Sequence, residues 1–283
     1  MQQQIDCPNC GQGVQRVSRT QAVSKGPNVA DIISAGQIRM MMQPIVNVTA
    51  GETIGYEMLA RAVRQDGSII SPGELYASAR EQNQLFRLDR ACRIAAIETA
   101  SKLRDDLAVF INFVPTSIYV PQHCLATTVD AVRRCGMQRE RIVFEVVETD
   151  RVQDLRHLRS ILSYYREMGF RCALDDFGEG FSDEETMKAL RPDIMKLDRK
   201  YVSDIQKLPD KQRMAQTIYQ QGYKQGAAML AEGVECEEEA AVLADMGYHL
   251  QQGYWYGTPA WDPVDVDPEK FKFKDQGRAF KRC

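Results

Sequence analysis

Eight short apolar runs recur along the chain, at 39–47, 54–61, 108–113, 142–147, 171–174, 194–197, 227–231 and 249–254. Several are separated by segments whose apolar residues repeat every three or four positions, so strand-length runs alternate with helix-period runs. Helices are expected at 85–100, 211–223 and 237–246, and in the stretch carrying Leu155, Leu158, Ile161, Leu162, Tyr165 and Met168. Gly169, Gly226 and Gly247 stand where three of them would stop. Eight strand slots with intervening helices favour an α/β fold, a closed (β/α)8 TIM-like barrel, over a two-layer sandwich.

The chain has 283 residues, 44% of them hydrophobic, with only 19 Gly and 11 Pro, enough to bury a large core. Three regions are expected: a polar extension at 1–28 carrying Cys7 and Cys10, a barrel at 29–261, and a charged extension at 262–283. Cys7-x-x-Cys10 is half of a four-ligand structural zinc site, and no second pair lies nearby. A structural Zn²⁺ there is the weaker reading beside a plain tail. The formal charge is −3 without a basic block, which argues against a long nucleic acid as partner. A small phosphodiester stays open, because bound metals supply positive charge locally. Neither end reads as a signal peptide, and no apolar run nears the roughly 20 residues needed to span a bilayer. A cytoplasmic protein with reduced thiols is expected.

The chemistry-bearing residues fall one to a strand. Glu57, Asn112, Glu145, Asp175, Lys196, Glu232 and Gln252 sit within or just beyond successive runs, as the active-end residues of a barrel do. Asp175-Asp176-Phe177-Gly178 places adjacent carboxylates at a strand end, where Gly178 and Gly180 permit a turn that brings both toward one site. An oxygen-rich set of this kind suits Mg²⁺ or Mn²⁺. The three histidines, His123, His157 and His249, are not placed among these strand ends, which disfavours a histidine-based zinc hydrolase. His157 is expected on a helix surface and Cys172 in the core.

In Gln43-Pro44-Ile45-Val46, Tyr56-Glu57-Met58-Leu59-Ala60-Arg61, Asn112, Glu145-Val146-Val147-Glu148, Asp175-Asp176-Phe177-Gly178-Glu179-Gly180-Phe181-Ser182, Lys196-Leu197-Asp198-Arg199, Glu232-Gly233-Val234-Glu235 and Gln252-Gly253-Tyr254, the chain closely resembles the EAL-domain cyclic-di-GMP phosphodiesterases over about residues 29 to 260. The resemblance implies divalent-metal-dependent hydrolysis of cyclic-di-GMP to linear pGpG by two-metal activation of water. It implies that Glu57, Asn112, Glu145 and Asp175 hold one ion, and that Asp175 bridges to a second held by Asp176 and Glu232. Lys196 would hold or help deprotonate the water, with Gln252 supporting the network. Glu57, Lys196, Glu232 and Gln252 would thus form the catalytic set. Gln43, Arg61 and Asp198 would contact or order the substrate, while Glu148, Gly178, Gly180 and Ser182 would order the catalytic loop. A homodimer, coupled to the site through that loop, is implied as well, and a separate regulatory protein remains open.

Several residues depart from the family pattern. Met58 stands where alanine or valine is usual, Val147 where threonine is common, and Phe181 where tyrosine is common; Glu179 and Asp183 make the loop unusually acidic. Extra negative charge facing the pocket would weaken an anionic substrate's association. The alternative reading is a cyclic-di-GMP receptor or protein-interaction module with little or no turnover.

Overall fold

Each of the eight runs forms a strand in the computed structural model, which describes residues 26–146, 155–177 and 188–275, with side chains placed except at 176, 177 and 272–275. Strands β1 (Ile38–Asn47) and β2 (Glu52–Val63) form an antiparallel hairpin, and the two-residue β3 (Ile69–Ile70) pairs with the end of β2. The sheet continues in parallel from β2 through β4 (Ala108–Phe113), β5 (Ile142–Val146), β6 (Arg171–Phe177), β7 (Ile194–Leu197), β8 (Ala228–Ala231) and β9 (Leu250–Gln252). Antiparallel pairing of β9 with β1 closes the ring.

The expected eight-stranded barrel therefore forms, with one strand reversed. Only residues 48–51 separate β1 from β2, and Gly51 turns the chain at φ 72°. So short a link joins antiparallel strands, whereas a parallel pair needs a crossover of a dozen residues or more.

Helices α1 (Val29–Ser34), α2 (Pro72–Glu81), α3 (Leu85–Ala100), α4 (Pro121–Cys124), α5 (Ala126–Arg134), α6 (Leu155–Glu167), α7 (Arg199–Val202), α8 (Pro209–Lys224) and α9 (Glu237–Asp245) lie along the connections. The four expected helices correspond to α3, α6, α8 and α9, while α2 and α5 were not anticipated. Helix α2 begins where the Ser71 hydroxyl accepts from the Glu74 N–H at 3.2 Å, with Pro72 in the first turn. Among the described residues, no helix is long and apolar enough to cross a membrane.

Strand alternation splits the apolar residues into two cores. Ile45, Ala108, Phe110, Val143, Ala173, Ile194 and Leu230 fill the barrel, whereas Val109, Ile111, Phe113, Phe144, Leu174 and Met195 face the helices. On the outer face, Tyr165 of α6 stacks on Phe144 at 4.0 Å and meets Phe113 and Phe170 edge-on. Burying each of these rings contributes roughly 1.5–3 kcal/mol before entropy is counted. Cys172 is fully buried there, and burial pushes its thiol up to about 12, so it packs as an unreactive core residue.

His157 is half-buried rather than on the surface, because its Nε2 pairs with the Ile118 carbonyl. His249 lies at the start of β9, paired through Nδ1 with the Thr49 hydroxyl at 2.9 Å. Beyond β9 the chain stays on the barrel: Ala260 bridges to Met42, the Tyr56 hydroxyl donates to the Val264 carbonyl at 3.1 Å, and Phe271 stacks on Tyr256.

Candidate active site

The same alternation builds the polar site. Two positions beyond each barrel-filling residue stands a polar one on the same face: Asn112 after Phe110, Glu145 after Val143, Asp175 after Ala173, Lys196 after Ile194, Glu232 after Leu230. Glu57 follows Gly55, where the chains approach so closely that a Cβ would meet the Ala108 carbonyl oxygen at 2.4 Å. On the reversed β1 the order inverts, and Gln43 precedes Ile45 and pairs in register with Glu57. Parallel register then sets these side chains in a ring at one barrel mouth.

The ring has two halves. In the first, the buried Glu57 carboxylate accepts from Asn112 Nδ2 at 2.7 Å and from Gln252 Nε2 at 2.6 Å. Gln252 Nε2 also donates to Gln43 Oε1 at 3.0 Å, and Gln43 Nε2 donates to the Gly257 carbonyl at 3.2 Å. In the second, Lys196 Nζ lies 2.9 Å from Glu145 Oε1 and 3.6 Å from Asp175 Oδ1, and pairs with Glu232 Oε1. Glu145 and Lys196 are fully buried, whereas Asp175 and Glu232 border solvent.

Four carboxylates face one ammonium. Burial, with Glu57 and Asp175 adding repulsion against the attraction of Lys196, pushes the Glu145 carboxyl up to about 8. Burial likewise holds Glu232 well above the usual carboxylate range. For Lys196, burial favours the neutral amine, but Asp175, Glu145, Glu232 and Glu57 outweigh it and keep the group protonated. The acids around Lys196 thus favour its ammonium form.

The donor set fits a hard divalent cation. Glu145 Oε2 is buried without a hydrogen-bond donor, and because Asn112 gives its N–H to Glu57, its carbonyl oxygen is the atom left for a cation. Even so, among the described residues no three acidic, Cys or His side chains converge as a ready-made cage. Lys196 stands between the acids that would form one.

Beside the ring lies a cavity of about 440 Å³, bordered by Glu57, Asn112 and Asp175 and also by Arg61, Tyr76 and Arg80. Arg61 is half-buried and donates to the Ala60 carbonyl at 2.9 Å; burial lowers its pKa, against the pull of Glu57. Gln43 reaches the ring through Gln252. Asp198 caps α7, accepting from the Lys200 N–H at 2.5 Å, just beyond the end of β7. Asp176 is placed in β6 by its backbone. Glu148, Gly178, Gly180 and Ser182, the variant Val147, Glu179, Phe181 and Asp183, and Cys7 and Cys10 lie outside the described residues.

Two features escaped the sequence reading. One is the α2 wall of the cavity. The other is a buried brace behind Asn112: Asp89 accepts from the Val114 N–H at 2.9 Å, from the Ser117 hydroxyl at 3.0 Å and from Arg93 Nε at 3.0 Å. Asp89 and Arg93 are 0% exposed, and Arg93 also pairs with the Thr128 hydroxyl. Their spacing of four within the helical stretch 85–100 was the available signal.

Comparison with known proteins connects this geometry to a family. The probable cyclic di-GMP phosphodiesterase PdeG of Escherichia coli (strain K12) is 30% identical over 236 residues, 80% of this chain and 45% of that protein. The signaling protein YkoW of Bacillus subtilis (strain 168) is 27% identical over 235 residues, 81% of this chain and 28% of that protein. The chain thus spans less than half the length of these curated relatives. Among solved structures, the c-di-GMP bound form of a standalone versatile EAL protein from Vibrio cholerae O395 is 33% identical with a TM-score of 0.73, covering 82% of this chain and 97% of that one. The manganese/cy-diGMP complex of Klebsiella pneumoniae BlrP1 is 26% identical with a TM-score of 0.73, covering 81% and 58%. The family model described as EAL domain matches residues 28–259, a span containing every residue of the ring, and the chain belongs to the EAL-domain family.

Proposed function

We propose that the protein hydrolyses one 3′,5′ linkage of cyclic-di-GMP to give linear pGpG, using Mg²⁺ or Mn²⁺, two ions per site. The observation carrying this reading is the barrel mouth, where Glu57, Glu145, Asp175 and Glu232 crowd one buried ammonium beside a cavity bearing Arg61. Glu57, Asn112, Glu145 and Asp175 would hold one ion, and Asp175, Asp176 and Glu232 the other. When bound, the ions supply Lewis-acid polarisation of the phosphodiester and activation of water.

The chain's own groups do the rest. Asn112 and Gln252 donate to opposite oxygens of Glu57 and fix its rotation, and Gln43 fixes Gln252 in turn. Lys196 damps repulsion among three acids and offers N–H donors to the oxygen of the attacking water. Arg61 presents a guanidinium fork suited to phosphate oxygens. Water's oxygen bonds to phosphorus as the P–O3′ bond breaks; the water gives up a proton, the departing O3′ takes one up to become a hydroxyl, and the product keeps a 5′-phosphate.

The hold of Lys196 on three carboxylates favours one second reading, a receptor that binds cyclic-di-GMP without turnover. Purified protein assayed with cyclic-di-GMP and Mg²⁺ or Mn²⁺ separates the two. Turnover by the wild type that is nearly abolished in well-folded Glu57→Ala and Asp175→Ala supports catalysis. Binding without turnover supports the receptor, and no binding in the presence of metal counts against both.

A further inference from the structure

Helix α2 presents Gly73, Tyr76, Ala77 and Arg80 to the cavity, spaced as one helix face. A Cβ built at Gly73 meets nothing within 4 Å, so the wall there is open. Met40, Met58 and Pro72 also border the cavity, making a largely apolar slot whose charged groups are the site carboxylates Glu57 and Asp175, Arg61, and Arg80 on the last turn of α2, with Asn112, Tyr76 and Cys92 as its neutral polar groups. Arg61 borders the same cavity as Glu57 and Asp175.

A largely apolar slot with the exposed Arg80 on its border suits a planar heterocycle better than a second phosphate. A phosphate among apolar walls would lose its hydration with little return, whereas a base has apolar faces and a polar edge. Guanine offers two adjacent acceptors, O6 and N7, which match the arginine fork; adenine offers N7 beside an N–H₂ donor, which does not. The five N–H donors of Arg80 allow it to serve a ligand while keeping its interaction within the protein.

We infer that Arg80 is a specificity-determining residue that reads the O6/N7 edge of one base and so selects guanine over adenine in a cyclic dinucleotide. The inference rests on the cyclic-di-GMP reading above.

Binding measured by calorimetry with Ca²⁺ present tests it, using cyclic-di-GMP and cyclic-di-AMP against wild type, Arg80→Ala and Arg80→Gln, with circular dichroism to confirm folding. Arg80→Ala is expected to weaken cyclic-di-GMP roughly tenfold or more and cyclic-di-AMP far less. Arg80→Gln is expected to narrow the guanine preference further, since glutamine matches adenine N6 and N7. Equal losses for both nucleotides would assign Arg80 to a phosphate or to general attraction and overturn the inference, as would no loss at all. A wild-type protein that binds neither nucleotide removes the functional reading itself, an outcome distinct from failure of the arginine variants alone.

Discussion

Asp89→Ala should be among the most damaging single substitutions in the molecule outside the barrel mouth. Asp89 is 0% exposed and receives the Val114 N–H, the Ser117 hydroxyl and the Arg93 guanidinium. Alanine would leave a buried cation without its carboxylate, and breaking such a pair from one side costs about 3–5 kcal/mol. The stranded Val114 N–H adds about 1–3 kcal/mol where no water replaces the carboxylate. A loss of about 4 kcal/mol or more is expected, a large share of the roughly 5–15 kcal/mol that holds a typical domain folded. Urea unfolding followed by circular dichroism, in EDTA, measures it. Asp89→Leu combined with Arg93→Met removes both charges and should cost less than Asp89→Ala alone, because no buried charge is left unpaired. Val114 lies two residues beyond Asn112, so the surviving Asp89→Ala protein should also bind Mn²⁺ more weakly. A loss below about 1 kcal/mol, or a double variant no more stable than the single, would refute the assignment of the brace.

Three further outcomes follow from the same geometry. Glu145 has a folded-state pKa of about 8 against an ordinary 4.5, so between those values the folded chain holds a proton that the unfolded chain has released. Stability in EDTA should therefore fall as pH rises through that window, by up to about 1.4 kcal/mol per pH unit; Glu145→Gln should flatten the slope, and parallel slopes in the two proteins would contradict it. Mn²⁺ at a hundred times its Kd should stabilise the wild type by about 2.7 kcal/mol, read as a rise in Tm that Asp175→Ala does not show. A Cβ at Gly253 would lie 2.1 Å from the Val234 carbonyl oxygen and 2.2 Å from its nitrogen. Gly253→Ala should thus cost about 1–3 kcal/mol and, by shifting Gln252 off Glu57, lower turnover beyond what the stability loss explains.

The polar ring was legible before any coordinates because β-structure has a period of two. Once Phe110, Val143, Ala173, Ile194 and Leu230 are assigned to the barrel interior, Asn112, Glu145, Asp175, Lys196 and Glu232 must share their face. Helix α2 was harder to see, since its buried positions are Leu75, Ser78 and Ala79, which carry a weak apolar signal. The reversal of β1 was readable in principle from its short link to β2.

By itself, then, the sequence determined the strand count, the alternation with helices and the polar residue that each strand delivers, because these depend on local period and spacing. Tertiary structure alone decided which of those residues touch. Lys196 engages Glu145, Asp175 and Glu232 while Glu57 is held by Asn112 and Gln252, since closure of the ring brings together side chains from separate strands, 195 residues apart for Gln252 and Glu57. Their charge states were decided there too, because burial and mutual repulsion act only after the barrel has closed.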